Sequence, residues 1–60
     1  MFFFKIGDRV SYYDEYYKCT QYGKVLEIFL NMDVESPYFI VKLEKDGIIA
    51  RVSSLNLRKA

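Results

Sequence analysis

Few residues in this chain could do covalent chemistry. Cys19 is the only cysteine, and a thiol becomes a useful nucleophile only with a base or cation beside it. The chain contains no histidine, which excludes a Ser-His-Asp triad, a Cys-His pair and a histidine-ligated metal. A lone cysteine forms no internal disulfide and no zinc-binding pair, and it suits a reducing compartment as a bystander thiol. The neighbouring carboxylates Asp14-Glu15 and Asp33-x-Glu35 lie in polar stretches, where their expected role is solvation. There is no Gly-rich phosphate loop. A non-enzymatic protein is therefore expected, with no cofactor, no metal and no small-molecule substrate.

What remains is contact chemistry, and it depends on which side chains the backbone turns outward. Tyr38-Phe39-Ile40-Val41-Lys42-Leu43-Glu44 is dense in β-branched and aromatic residues, Lys45-Asp46-Gly47 makes a turn, and Ile48-Ile49-Ala50-Arg51-Val52 runs back. Asp-Gly between two apolar runs is a hairpin signal, because glycine takes the positive φ that the turn requires. Strand alternation puts Phe39, Val41 and Leu43 inward, with Tyr38, Ile40, Lys42 and Glu44 outward. On the returning strand Ile48, Ala50 and Val52 are expected inward, and Ile49 and Arg51 outward. Tyr38, Ile40 and Ile49 then form an exposed apolar patch, joined by Leu26 or Leu30. Such a patch on a near-neutral protein marks a contact surface.

The rest of the chain reads as strands around this hairpin. Phe2-Phe3-Phe4 is a lead-in with one or two rings against the core. Gly7-Asp8 turns into a strand beginning at Arg9-Val10-Ser11-Tyr12-Tyr13, with Val10 and Tyr12 on one face. Asp14 to Tyr22 shows no helical stripe and is expected to be a long loop. Gly23 opens a second strand through Leu30, whose broken alternation calls for a bulge or a sharp bend. Asn31 to Pro37 is a polar, acidic loop. Ser53-Ser54-Leu55 reads as a single 3-10 turn, Leu55 and Leu57 as a floor to the core, and Arg58-Lys59-Ala60 as a frayed tail.

A length of 60 residues allows one domain, spanning 1–60. A chain this short buries roughly 60% of its unfolded surface. Hydrophobic residues at 52% and aromatics at 18% place it among folded proteins. A net charge of +1 supplies no strong field toward phosphate backbones or anionic lipid, and little resistance to self-association. The apolar start stops at Lys5, far short of a signal core or a membrane span, so a cytoplasmic protein with no membrane partner is expected. The abundance of Phe, Tyr, Ile, Lys and Asn corresponds to AT-rich codons, as in many bacterial and phage genomes.

The order Lys5-Ile6-Gly7-Asp8-Arg9-Val10, Tyr22-Gly23-Lys24-Val25-Leu26-Glu27-Ile28, Tyr38-Phe39-Ile40-Val41, Asp46-Gly47 and Val52-Ser53-Ser54-Leu55 resembles the Src-homology-3-like small barrels of the Tudor, chromo-barrel and KOW type. The resemblance covers nearly the whole chain. It implies an all-β, five-stranded SH3-like barrel with one 3-10 turn before the last strand, closed so that no sticky edge remains. This fold hosts many ligands, so it specifies none. Peptide-binding members need a groove tryptophan, which this chain lacks. The plasmid-borne type II dihydrofolate reductase shares Gly-Asp-Arg-Val, but Gly47-Ile48-Ile49-Ala50 stands where its Val-Gln-Ile-Tyr stretch carries the active site. Resemblance to Tudor domains implies an aromatic cage, for which Tyr12, Tyr13, Tyr16, Tyr17 and Tyr22 are the candidates, with Asp14 or Glu15 as counter-charge.

Two readings follow. In the first the chain is an interaction module that binds a protein partner or itself through the tyrosines, Ile40, Ile49 and neighbouring Arg51. Its size suits an adaptor or inhibitor encoded by a phage or mobile element. In the second it is a nucleic-acid binder of KOW or Tudor type, with tyrosines stacking on bases and Lys and Arg on phosphates.

Overall fold

The computed structural model describes residues 4–30 and 37–60. Five strands, β1 (Arg9–Asp14), β2 (Cys19–Phe29), β3 (Tyr38–Leu43), β4 (Ile49–Ser53) and β5 (Arg58–Lys59), form one antiparallel sheet in the order β4-β3-β2-β1-β5. A single 3-10 turn, Ser54–Asn56, separates β4 from β5. The Ser53 hydroxyl accepts a hydrogen bond from the Leu55 N–H and caps that turn. Among the described residues β4 and β5 each pair on one side only, so the expected closure into a barrel is absent from their hydrogen-bond ladder. β5 is two charged residues long, so its outer edge is a poor template for further pairing.

The 11-residue β2 organises the sheet. Its first half pairs with β1, its second half with β3, and the two ladders overlap only at Gly23 and Lys24. The register shifts between Val25 and Glu27, so Leu26 is the extra residue of a bulge, as the broken alternation of this strand requires. A bulge bends a strand and raises its twist. The sheet therefore curls over its own inner face. That face carries Phe4, Val10, Val25, Phe39, Val41, Leu43, Val52 and Leu57, all buried, with Tyr12, Ile28 and Ala50 packed against them. No buried side-chain polar atom among the described residues lacks a hydrogen-bond partner.

Several expectations are met. Phe39, Val41 and Leu43 point inward, and Gly47 holds φ at +74° in the β3–β4 turn. There the Gly47 N–H donates to the Leu43 carbonyl, and the Asp46 carboxylate accepts from the Ile48 N–H. Phe4 packs edge-on against Phe39 at 5.5 Å. Phe2, Phe3 and the expected loop residues 31–36 lie outside the described residues.

Others are corrected. Asp14 to Tyr22 is not a long loop: β1 runs to Asp14 and β2 starts at Cys19, leaving a four-residue turn. The Asp14 carboxylate accepts hydrogen bonds from the Tyr16 and Tyr17 N–H groups, and Lys18 takes a positive φ of 55°. These close the turn locally. Ile48 is not in the core but 58% exposed, because it belongs to the connection before β4 rather than to the strand. Leu55 does not help floor the core: the 3-10 turn carries it outward, 82% exposed, while Leu57 goes in. Arg58-Lys59-Ala60 is not frayed. Val10 and Ser11 pair with Lys59 and Arg58, and the Ala60 N–H donates to the Arg9 carbonyl.

Candidate interaction surface

Residues directly opposed in antiparallel register point to the same face of a sheet. Three such rows cross the outer face of β2, β3 and β4: Phe29–Tyr38–Ser53, Glu27–Ile40–Arg51 and Lys24–Lys42–Ile49. The bulge sets the first two rows, because the extra residue at Leu26 turns Glu27 and Phe29 outward and Ile28 inward. Phe29 and Tyr38 stack with ring centroids 5.3 Å apart and an interplanar angle of 15°. The Arg51 guanidinium lies over the Tyr38 ring at 5.0 Å, a cation–π contact that holds its charge flat on the face. Ile40 is half-buried at the centre and Ile49 is 54% exposed at one corner. Leu26 borders the face where β2 bends, and Leu30 is exposed just beyond Phe29.

Of the residues singled out from sequence, Tyr38, Ile40, Ile49 and Arg51 thus come together. The five tyrosines from 12 to 22 lie elsewhere, around the β1–β2 hairpin, and do not converge on one point. Tyr12 packs inward against the core, paired across the ladder with buried Gln21. Burial pushes its phenol above the ordinary tyrosine value, with the Asp14 carboxylate adding to the effect, so it stays neutral at physiological pH. Tyr13 and Tyr22 occupy the opposite face of the hairpin, and Tyr16 and Tyr17 meet edge-on in its turn at 4.8 Å. Tyr12 and Tyr17 share a cleft of about 320 Å³ with Asp14, Asp46 and Ile48. Lys45 of the same chain already stands over the Tyr17 ring at 5.6 Å.

Arg9 ties the two halves of the sheet together. It lies over the Tyr22 ring at 4.9 Å and reaches Glu44 through two hydrogen bonds, 2.6 and 3.1 Å. Hydrogen bonding from Arg9 holds the Glu44 carboxyl below its ordinary value. For a lowered carboxylate, the stabilisation is present above the unfolded-state value and is lost as pH falls through the folded-state value. Both side chains are about half exposed, so solvent screening keeps the effect small. Glu44→Gln should lower the melting temperature slightly at neutral pH and leave it unchanged in acid, where Glu44 is protonated in both states. An equal loss at both pH values in thermal melts would contradict this.

Sequence reasoning missed Glu27 and Phe29 as members of the face. Their direction depends on where the bulge sits, and Leu26, Ile28 and Leu30 compete equally well for the inside. Among the described residues, no group of three or more His, Cys, Asp or Glu side chains is placed to hold a metal. No described helix is long and apolar enough to cross a membrane. Comparisons with family models, with characterised proteins and with solved structures return no match.

Proposed function

We propose that this domain is a non-catalytic interaction module, built on an SH3-like small barrel, that binds protein through the outer face of β2, β3 and β4. The observation that carries the reading is the Phe29–Tyr38–Arg51 stack beside half-buried Ile40 and exposed Ile49. It joins large apolar side chains to an arginine on a sheet face with no layer over it among the described residues. Aromatic residues and arginine are the types enriched where protein partners dock. The bent β2, the self-covering inner face and the 3-10 turn before β5 support the barrel assignment.

A nucleic-acid interface is less well supported. Arg9 and Lys45 each lie over a ring of this chain, and the hairpin tyrosines are spread over two faces and a turn rather than set as a stacking platform.

The reading is tested by placing a photo-crosslinking residue at Ile49 or, separately, at Tyr16, and irradiating living cells that express the full chain. Ile49 is expected to yield a discrete protein adduct and Tyr16 none. Nuclease-sensitive adducts, or the absence of any adduct from Ile49, would overturn it.

A further inference from the structure

We infer that the occupant of this face is a second copy of the same chain. This rests on the reading of the face as a protein-binding surface and adds the partner. The register of the ladder carries it. Ile40 is flanked on β2 by Glu27 and on β4 by Arg51, all three in one row on one face. Among the described residues, neither Glu27 nor Arg51 has an ion-pair partner. A two-fold axis lying in the plane of the face and running along β3 sets Ile40 against Ile40. The same rotation exchanges the two flanks, so Glu27 of each copy faces Arg51 of the other. Two copies thus form two carboxylate–guanidinium pairs around an apolar centre, the self-complementary pattern that a two-fold interface requires.

The remaining rows fit this axis. Tyr38 meets Tyr38 between the two Phe29 rings, adding aromatic area at one end. At the other end Lys42 falls on the axis opposite its own copy, but its side chain leans along the sheet toward Gly47, where its Cε lies 3.7 Å from the position a Cβ would take. The low net charge opposes self-association only weakly. Three strands by five residues span roughly 10–15 Å by 17 Å at ordinary strand spacing and rise. That puts the contact in the small, weak and concentration-dependent class of interfaces.

Sedimentation velocity on the purified chain, over a wide concentration range, tests the inference. The wild type should pass from the 7.2 kDa monomer to twice that mass as concentration rises into the millimolar range. Glu27→Arg and Arg51→Glu each place like charges opposite one another and should weaken association at least about tenfold. The double variant restores opposite charges and should recover association to within about threefold of the wild type. Both substitutions fall at exposed positions, and circular dichroism melts establish that each of the three variants is folded. A wild type that stays monomeric, or single variants that associate as strongly as it does, would overturn the inference. So would a double variant that fails to recover. A monomeric wild type with an Ile49 adduct to a different protein in cells would sink the dimer alone and leave the reading of the face standing.

Discussion

Phe39→Ala is expected to leave the chain unfolded at 25 °C. Phe39 is fully buried on β3, edge-on to Phe4, at the centre of the inner face. Removing a buried phenyl ring costs about 3–5 kcal/mol, because transfer energy is lost and a cavity remains. A domain of this size rarely has more than about 3–5 kcal/mol of net stability. The substitution therefore consumes the whole margin. A far-ultraviolet circular dichroism spectrum without strand signal is the expected result, and a cooperative melt within a few degrees of wild type would contradict it.

The second large effect comes from adding a single methyl group. Gly23 lies where both ladders of β2 meet, opposite Val10 on β1 and Leu43 on β3. A Cβ there would stand 2.5 Å from the Lys42 carbonyl oxygen and 2.5 Å from a Val41 methyl. One of these atoms is backbone and the other belongs to a fully buried side chain, so neither can step aside freely. Overpacking of this kind costs about 1–3 kcal/mol, occasionally more. Gly23→Ala should accordingly lower the melting temperature by roughly 5–20 °C, since each kcal/mol shifts a small domain by about 4–8 °C. Gly7→Ala makes the informative comparison: its φ of +96° strains any side chain, but nothing lies within 4 Å. Its cost should stay at about 1–2 kcal/mol. A Gly23→Ala protein that melts with the wild type would remove the close approach as the reason glycine stands where the two ladders meet.

The parts of this fold that could be read from sequence are those where one local rule decides. Strict alternation fixes Phe39, Val41 and Leu43 on the inside, and Asp46-Gly47 fixes the turn that follows. Where two rules compete, the sequence is ambiguous. Cys19 to Tyr22 is strand, yet its inward residue is Gln21, a buried polar side chain in a place where alternation asks for an apolar one. The signal that could have found it is Asp14, a turn-forming residue placed just before a β-prone stretch. Leu55 and Leu57 are two apart, which reads as one face of a strand. The intervening 3-10 geometry instead separates them, one to solvent and one to the core. Arg58 and Lys59 look like a charged tail because an edge strand needs no apolar residues to pair.

The candidate surface divides the same way. Ile40, Ile49, Tyr38 and Arg51 follow from the parity of two regular strands, so their outward placement was legible. Glu27 and Phe29 depend on a one-residue bulge, and a shift of one residue in a strand exchanges its two faces. Convergence of the hairpin tyrosines into one cage was a matter of tertiary placement, and pairing with β2 sends Tyr12 to one side of the hairpin and Tyr13 and Tyr22 to the other.

The most direct test of the claim that this chain pairs with a second copy of itself through the outer face of β2, β3 and β4 is an amide chemical-shift map of the isotopically labelled chain from tens of micromolar to millimolar. Concentration-dependent shifts are expected at Glu27, Phe29, Tyr38, Ile40, Ile49 and Arg51, with the β1–β2 turn at Tyr16 and Tyr17 stationary. Shifts confined to that turn, or a spectrum that does not change over the whole range, would contradict it.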